Sequence, residues 1–412
     1  MDRVILHCDL NNFYASVECL YNPEIRDKPV AVCGDPDLRH GIVLAKNNIA
    51  KKYGIKTGEV IWQAKKKCSP LVVVKPNYSL YLRFSKEARE IYNDYTDKIE
   101  SFGIDECWLD VTESAKVFGS GEKIANEIRQ RVKDELGITV SIGVSFNKIF
   151  AKLGSDLKKP DAVTVITKEN YKKLVWPLPV EDLLYIGSAT KAKLYKVNIT
   201  TIGRLANTPI HVLKSMFGKW GEIIWNFANG LDNTPIIPNS LETSIKGIGN
   251  SMTLPYDLNN NSDVLYVFYV LAESVAERLR KHHFKCRTIQ IYIRDNNLFS
   301  IERQETMETP TYISDEIAKK AFEIFTKNWN WIYPIRSLGI RTTNLVPSDI
   351  PMQMDVFEGY RRFKKEEIEK RVDDIRKRFG HYSIQRALML INPKLNANPI
   401  EENIIHPISY FR

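Results

Sequence analysis

Between Ser244 and Thr343 the chain keeps a rhythm that few folds accommodate. β-branched and aromatic runs at 244–253, 287–294, 298–307 and 334–343 read as strands, and helical periodicity fills 262–282 and 314–328. The order is β-α-β-β-α-β, the split βαβ arrangement. Ile289, Ile291 and Ile293 alternate with Thr288, Gln290, Tyr292 and Arg294, so one sheet face is core and the other is polar, with an aromatic and a cation. Ser262 is the N-cap candidate of the first helix, and Arg280-Lys281-His282 closes it in the sense its dipole favours.

The rest of the 412 residues divides differently, and the length allows two to four domains. RVILHCDL at 3–10 is a short buried strand closed by Asp9-Leu10-Asn11-Asn12, with a helix from about Tyr14 to Tyr21 behind it. Strands are expected at 28–34 and 71–75, with small basic helices at 47–53 and 62–68 between them. A helix over 78–95 leads into two strands around the turn Ile104-Asp105-Glu106. Then come a helix at 122–135, a strand at 139–145, a helix at 147–157 and a strand at 162–166. Strands alternating with helices that pack on one sheet make an α+β layer. From 167 to 232 strand signals vanish and short helices broken by Pro and Gly take over. Residues 233–243 read as a linker, and a charged helix is expected at 363–379.

Composition removes several classes. Lys and Arg outnumber Asp and Glu by 59 to 50, and the net charge of +9 permits a polyanionic partner without demanding one. The N-terminus lacks the basic-then-apolar layout of a secretory signal, and the longest apolar run, Val264–Ala272, is too short to span a bilayer. No membrane association is therefore expected. Six scattered cysteines form no C-x-x-C pair, which fits free thiols in a reducing cytoplasm. Neither a Walker A loop nor a G-x-G-x-x-G after a strand is present.

Three acids invite chemistry: Asp9 at a strand end, and Asp105 with Glu106 at the hairpin turn. Carboxylates converging on one sheet edge can hold two divalent cations, and oxygen ligands suit Mg²⁺. Such acids also simply cap turns, and spacing leaves both readings open.

The wording around the acids resembles the Y family of translesion DNA polymerases, of the bacterial polymerase IV type. CDLNNFYASVE at 8–18 is similar to the family's first palm motif, and SFGIDECWLDVT at 101–112 to its Asp-Glu segment. SIGVSFNKIFAKLGSDLKKP at 141–160 resembles its strand–helix element ending in Lys-Pro. The resemblance implies an α+β multidomain right hand. Palm would be 1–10 and 77–166, small fingers 11–76, a helical thumb with a helix–hairpin–helix 167–233 and a linker 234–243. A βαββαβ little finger would follow at 244–346, then a tail at 347–412. It implies template-directed, low-fidelity synthesis on primer–template DNA from dNTPs, in a cytoplasmic monomer.

By the same resemblance two Mg²⁺ ions would be held by Asp9, the Leu10 carbonyl, Asp105 and Glu106. Tyr14 falls on the steric-gate position that rejects ribonucleotides. Phe13, Asn48, Lys51 and Lys159 fall near the triphosphate. Gly187, Lys246, Arg294, Arg336 and Arg341 would contact DNA. Gln353-Met354-Asp355-Val356-Phe357 resembles the peptide that binds the sliding clamp, the replication β subunit. Three departures stand out: Asn11 replaces a frequent acid, Asn48 a frequent Tyr, and Tyr185 a hairpin glycine. Alternatives are a non-catalytic DNA- and clamp-binding scaffold, a nucleotide cyclase on a similar palm, and a polymerase V-like subunit that needs an accessory protein. The intact acids oppose the first of these, and the helical thumb with its basic-faced second domain opposes the cyclase.

Overall fold

A computed structural model describes residues 3–35, 41–238, 245–351 and 356–397, and these gather into two compact units that divide between 238 and 245. The first unit contains eight strands: β1 (Ile5–Leu10), β2 (Val30–Cys33), β3 (Val43–Lys46), β4 (Val72–Val74), β5 (Ile99–Ser101), β6 (Glu106–Asp110), β7 (Val140–Ser145) and β8 (Val163–Ile166). Five form one sheet in the order β5-β6-β1-β7-β8, and three form a small second sheet, β3-β2-β4.

β1 lies between β6 and β7, antiparallel to both, and every residue of it is buried. Period-2 geometry splits it into two faces. Leu6, Cys8 and Leu10 join the core with Tyr81, Phe84 and Ile91 of the helix Tyr78–Asn93 and Ile124 and Ile128 of the helix Gly121–Leu136. Ile5, His7 and Asp9 face the helix Lys148–Leu157 on the other side. That helix comes very close because Gly143 stands opposite His7: a Cβ there would lie 1.9 Å from the Ala151 carbonyl oxygen. Any side chain at 143 would push the helix off the sheet.

Strand β3 departs from expectation, since Val-Leu-Ala-Lys carries little β signal of its own. Pairing with β2 defines it instead. The helices Ser188–Lys196, Ile202–Asn207, Ile210–Phe217 and Lys219–Ala228 close around Leu194, Leu205, Leu213 and Ile224.

The second unit follows the expected β-α-β-β-α-β order with longer strands: β9 (Gly247–Leu258), β10 (Phe284–Asp295), β11 (Ser300–Thr311) and β12 (Ile335–Pro347). They form one antiparallel sheet, β11-β10-β12-β9. Ile289, Ile291, Ile293, Leu338 and Ile340 pack beneath the helices Asn261–Lys281 and Ser314–Asn328. The N-cap of the first helix is Asn260 rather than Ser262: its side chain accepts from the Asp263 amide at 2.9 Å, one turn of reach that Ser262 would have needed at 265.

The charged helix is also longer than expected, Val356–Phe379, and the chain beyond it folds back onto this unit. Met389, Leu395 and Ala397 enter its core, and the Tyr266 hydroxyl donates to the Met389 carbonyl at 2.8 Å. Gln353, Met354 and Asp355 lie outside the described residues, while Val356 and Phe357 open the helix. All six cysteines are buried and unpaired, and no described helix is long and apolar enough to cross a membrane.

Candidate active site

Pairing register brings the acids together. Asp9 on β1 stands directly opposite Glu106 on β6, and the Leu10 amide donates to the Asp105 carbonyl at 3.1 Å. Asp9 and Glu106 share one cation: Lys152 Nζ lies 3.2 Å from Asp9 Oδ2 and 3.2 Å from Glu106 Oε2. Lys159 Nζ adds a second contact to Asp9 Oδ2 at 2.7 Å, and Asp156 bridges the two lysines at 3.1 and 2.7 Å. Lys152 and Asp156 lie one turn apart on the helix Lys148–Leu157, and Lys159 follows just beyond its end.

Beneath Glu106 sits His7, fully buried, with Nε2 3.3 Å from Glu106 Oε2. His7 Nδ1 is 2.8 Å from Ser155 Oγ, which itself donates to the Lys152 carbonyl at 2.7 Å. Burial holds the imidazole below its ordinary range despite the nearby carboxylate. Glu106 Oε2, by contrast, has no hydrogen-bond partner of good geometry.

The electrostatics separate the three acids. Burial raises the Asp105 carboxyl to about 7, reinforced by the charges of Asp9 and Glu106. Asp9 is raised as well, by burial first, with Lys152 opposing. For Glu106 burial is outweighed by His7 and Lys152, and its carboxyl falls to about 2. Lys152 is held protonated by Glu106 and Asp9 against the cost of its own burial.

Among the described residues no three potential ligands form a ready-made metal cage. The donor set nevertheless fits a hard cation. Two carboxylates converge on one positive charge, and a third adds its field.

The remaining expected residues scatter in role. The Tyr14 ring stands half-buried at the start of the helix Phe13–Tyr21, stacked on Tyr81. Phe13 is 3% exposed and its side chain packs in the core. Asn48 and Lys51 are exposed on the helix Asn48–Lys52, and Asn48 Oδ1 accepts from Asn12 Nδ2 at 3.0 Å beside the Tyr14 helix. Lys46 lies close enough to Lys51 for their charges to interact.

Asn11 resolves one of the departures. Its amide donates to Ser141 Oγ at 2.8 Å, and its oxygen accepts from Thr139 Oγ1 at 3.0 Å and the Asp161 amide at 2.8 Å. The side chain ties the Lys159-Pro160-Asp161 turn to β7, and a carboxylate could not make the donor half of that set.

Lys152, Asp156 and His7 escape a reading of the sequence alone. Their signals are present: His7 is two residues from Asp9 on one strand face, and 152, 156 and 159 share a helical spacing. Only the close approach permitted by Gly143 joins them.

Comparison with known proteins meets this geometry. The impB/mucB/samB family model matches residues 8–156, its C-terminal domain model 245–356, and a model described as the DNA polymerase-iota thumb domain 181–232. The DNA polymerase IV of Acetivibrio thermocellus is 59% identical over 397 residues, covering 96% of this chain and 100% of that protein. The chain belongs to the DNA polymerase IV family. DNA polymerase IV 1 of Bacillus subtilis is 37% identical over 389 residues, covering 94% of this chain and 93% of its own. A solved Y-family DNA polymerase chimera of Dbh and Dpo4 shares the fold, with a TM-score of 0.74 at 24% identity over 84% of this chain and 99% of that one.

In this polymerase IV-type chain the expected DNA-facing residues take distinct positions. Arg294 pairs with Ser337, and Arg341 with Gln290 and Gly249, on the sheet face opposite the helices. Lys246 is exposed just before β9. Arg336 falls where the β10–β12 register slips, as the extra residue of a bulge. Gly187 caps the helix Ser188–Lys196 with open space around it. Tyr185 takes φ +69, the left-handed backbone that a glycine would adopt, and its ring lies 6.2 Å from both Trp220 and Phe227.

Proposed function

We infer that the chain is a template-directed DNA polymerase of low fidelity that synthesises past damaged template bases, using primer–template DNA and deoxynucleotides in a metal-dependent reaction. Identity of 59% over nearly the whole chain to a DNA polymerase IV carries this reading. Primer extension by the purified chain with Mg²⁺ and four dNTPs tests it. Extension alone supports the reading. If a folded, DNA-binding chain extends only after an accessory protein is added, the polymerase V-like alternative holds.

In this reading palm, fingers, thumb, little finger and tail keep the boundaries given above. Asp9, the Leu10 carbonyl, Asp105 and Glu106 would hold two magnesium ions. Magnesium bound there supplies positive charge that favours the deprotonated primer hydroxyl and offsets charge on the phosphates. Lys152 and Asp156 hold the acids in register between turnovers, and Asn11 steadies the turn that carries Lys159. Lys159, Lys51 and Lys46 meet the triphosphate as point charges rather than as bidentate forks. Tyr14 stands where a ribose 2′-hydroxyl would clash, and the mutant Tyr14→Ala is expected to admit ribonucleotides.

Lys246, Arg294, Arg336, Arg341 and the amides around Gly187 would contact backbone phosphates. Neutralising Arg294 or Arg341 should weaken binding evenly across template sequences and flatten the log–log salt dependence by ~0.9 for each phosphate left without its cation. An unchanged slope in both variants would remove them from the interface.

The peptide 353–357 is proposed as the clamp ligand of a cytoplasmic, monomeric polymerase. Deleting it should spare distributive synthesis and abolish stimulation by the clamp. Equal stimulation of the deleted and parent chains would exclude it.

A further inference from the structure

Tyr14 does not stand alone. The helix Phe13–Tyr21 places Tyr14 and Glu18 one turn apart on the same face, and Tyr81 from the helix Tyr78–Asn93 fits against both. The Tyr81 ring lies flat on Tyr14, with centroids 4.2 Å apart and planes 10° from parallel. Its hydroxyl donates to Glu18 Oε1 at 2.5 Å. Tyr78 closes the side, edge-on to Tyr14 at 5.7 Å and to Tyr81 at 5.8 Å.

Tyr81 is 0% exposed, so its hydroxyl has no water to turn to if Glu18 is removed. Burial and the Glu18 carboxylate together keep the phenol protonated and donating. One end of Tyr81 is thus fixed by stacking and the other by a hydrogen bond to a charged acceptor. Fixing the Tyr81 ring at both ends restricts the movement of the Tyr14 ring stacked upon it.

We propose that Glu18 is a positioning residue for sugar selection: by holding the Tyr81 hydroxyl it fixes the ring that backs Tyr14, and so limits how far Tyr14 yields to a 2′-hydroxyl. The inference rests on reading Tyr14 as the sugar gate. Glu18 acts only through Tyr81, as a supporting contact that keeps the working side chain within a fraction of an ångström of its place.

Single-nucleotide insertion by the full chain, with a dNTP and the matching rNTP, tests it. Six proteins are compared: the parent, Tyr14→Ala, Glu18→Ala, Glu18→Gln, Tyr81→Phe and the double variant Glu18→Ala/Tyr81→Phe. Glu18→Ala and Tyr81→Phe should each lower the dNTP/rNTP ratio of kcat/KM roughly 2- to 10-fold, the range one net hydrogen bond supplies. The change should come from a lower KM for the ribonucleotide, which a general loss of fold would not produce. Glu18→Gln keeps an acceptor oxygen and should stay near the parent. The double variant should be no worse than the worse single one, because both remove one interaction.

An unchanged ratio in Glu18→Ala and Tyr81→Phe overturns the proposal, as does an additive loss in the double variant. Tyr81→Phe removes a single oxygen, so it remains informative if Glu18→Ala does not fold. If Tyr14→Ala itself leaves the ratio unchanged, the gate reading falls and the inference with it. If Tyr14→Ala relaxes the ratio and the other variants do not, only the role of Glu18 falls.

Discussion

Asp105→Ala and Glu106→Ala, each made alone, should lower single-nucleotide insertion by at least about 10³-fold, the scale of several kcal/mol of charge stabilisation at the transferring phosphate. Binding of primer–template, which the other unit and the short helices beyond 180 serve in this reading, should persist in both. The two variants remove different things. Glu106 is a low, ionised carboxyl at about 2 that shares Lys152 with Asp9, so its loss leaves Lys152 to Asp9 and Asp156. Asp105 is raised to about 7 by burial and by its two acidic neighbours, so its loss relieves repulsion that a bound cation would otherwise offset. Asp105→Ala is therefore expected to fold at least as stably as the parent in metal-free buffer while losing activity. Insertion, equilibrium DNA binding and a metal-free melting curve check all three points. Turnover within tenfold of the parent in either variant would take the chemistry away from this edge of the sheet.

The three acids are legible in the sequence because strand ends and a hairpin turn are local features. Asp9 is the last residue but one of β1, whose six residues are all buried, and Asp105 ends the turn that leads into Glu106, the first residue of β6. Lys152 is not legible there, since that lysine reaches Asp9 only where Gly143 lets a helix rest directly on β7. Strand lengths in the second unit exceed expectation for a related reason. Glu308 and Pro310 carry weak β signals, yet the pairing of Thr311 with Cys286 of β10 extends the strand past them. The tail departs furthest. The sequence marks only a charged helix there, whereas Glu366, Glu369 and Asp373 each meet a buried cation 81 to 93 residues earlier in the chain.

That tail yields the largest stability prediction. Arg280, whose side chain is 8% exposed, contacts Glu369 Oε2 at 2.9 Å and both Asp373 oxygens at 2.5 and 2.7 Å. Glu273, equally buried, accepts from Arg376 and Arg386 at 2.8 Å each, and Arg386 reaches Glu369 at 3.2 Å. The helix Asn261–Lys281 and the tail are thus joined by an alternating chain of charges with little access to water. Removing Arg280 takes the cation from Asp373 and leaves Glu369 with Arg386 alone, and removing Glu273 takes the carboxylate from Arg376. A charge left uncompensated at such a buried site costs about 3–5 kcal/mol. Arg280→Ala and Glu273→Ala should each destabilise the second unit by that amount. Hydrogen exchange within the helix Asn261–Lys281, rather than whole-chain melting, reads it without interference from the first unit. The triple variant Arg280→Met/Glu369→Leu/Asp373→Leu should recover much of the stability, because an apolar replacement of an ion cluster removes the desolvation penalty together with the attraction. Exchange unchanged in both single variants would mean that the tail's ion pairs are exposed in solution. In that case the apolar contacts of Met389, Leu395 and Ala397 and the hydrogen bonds of Met389 and Asn392 would hold the tail down.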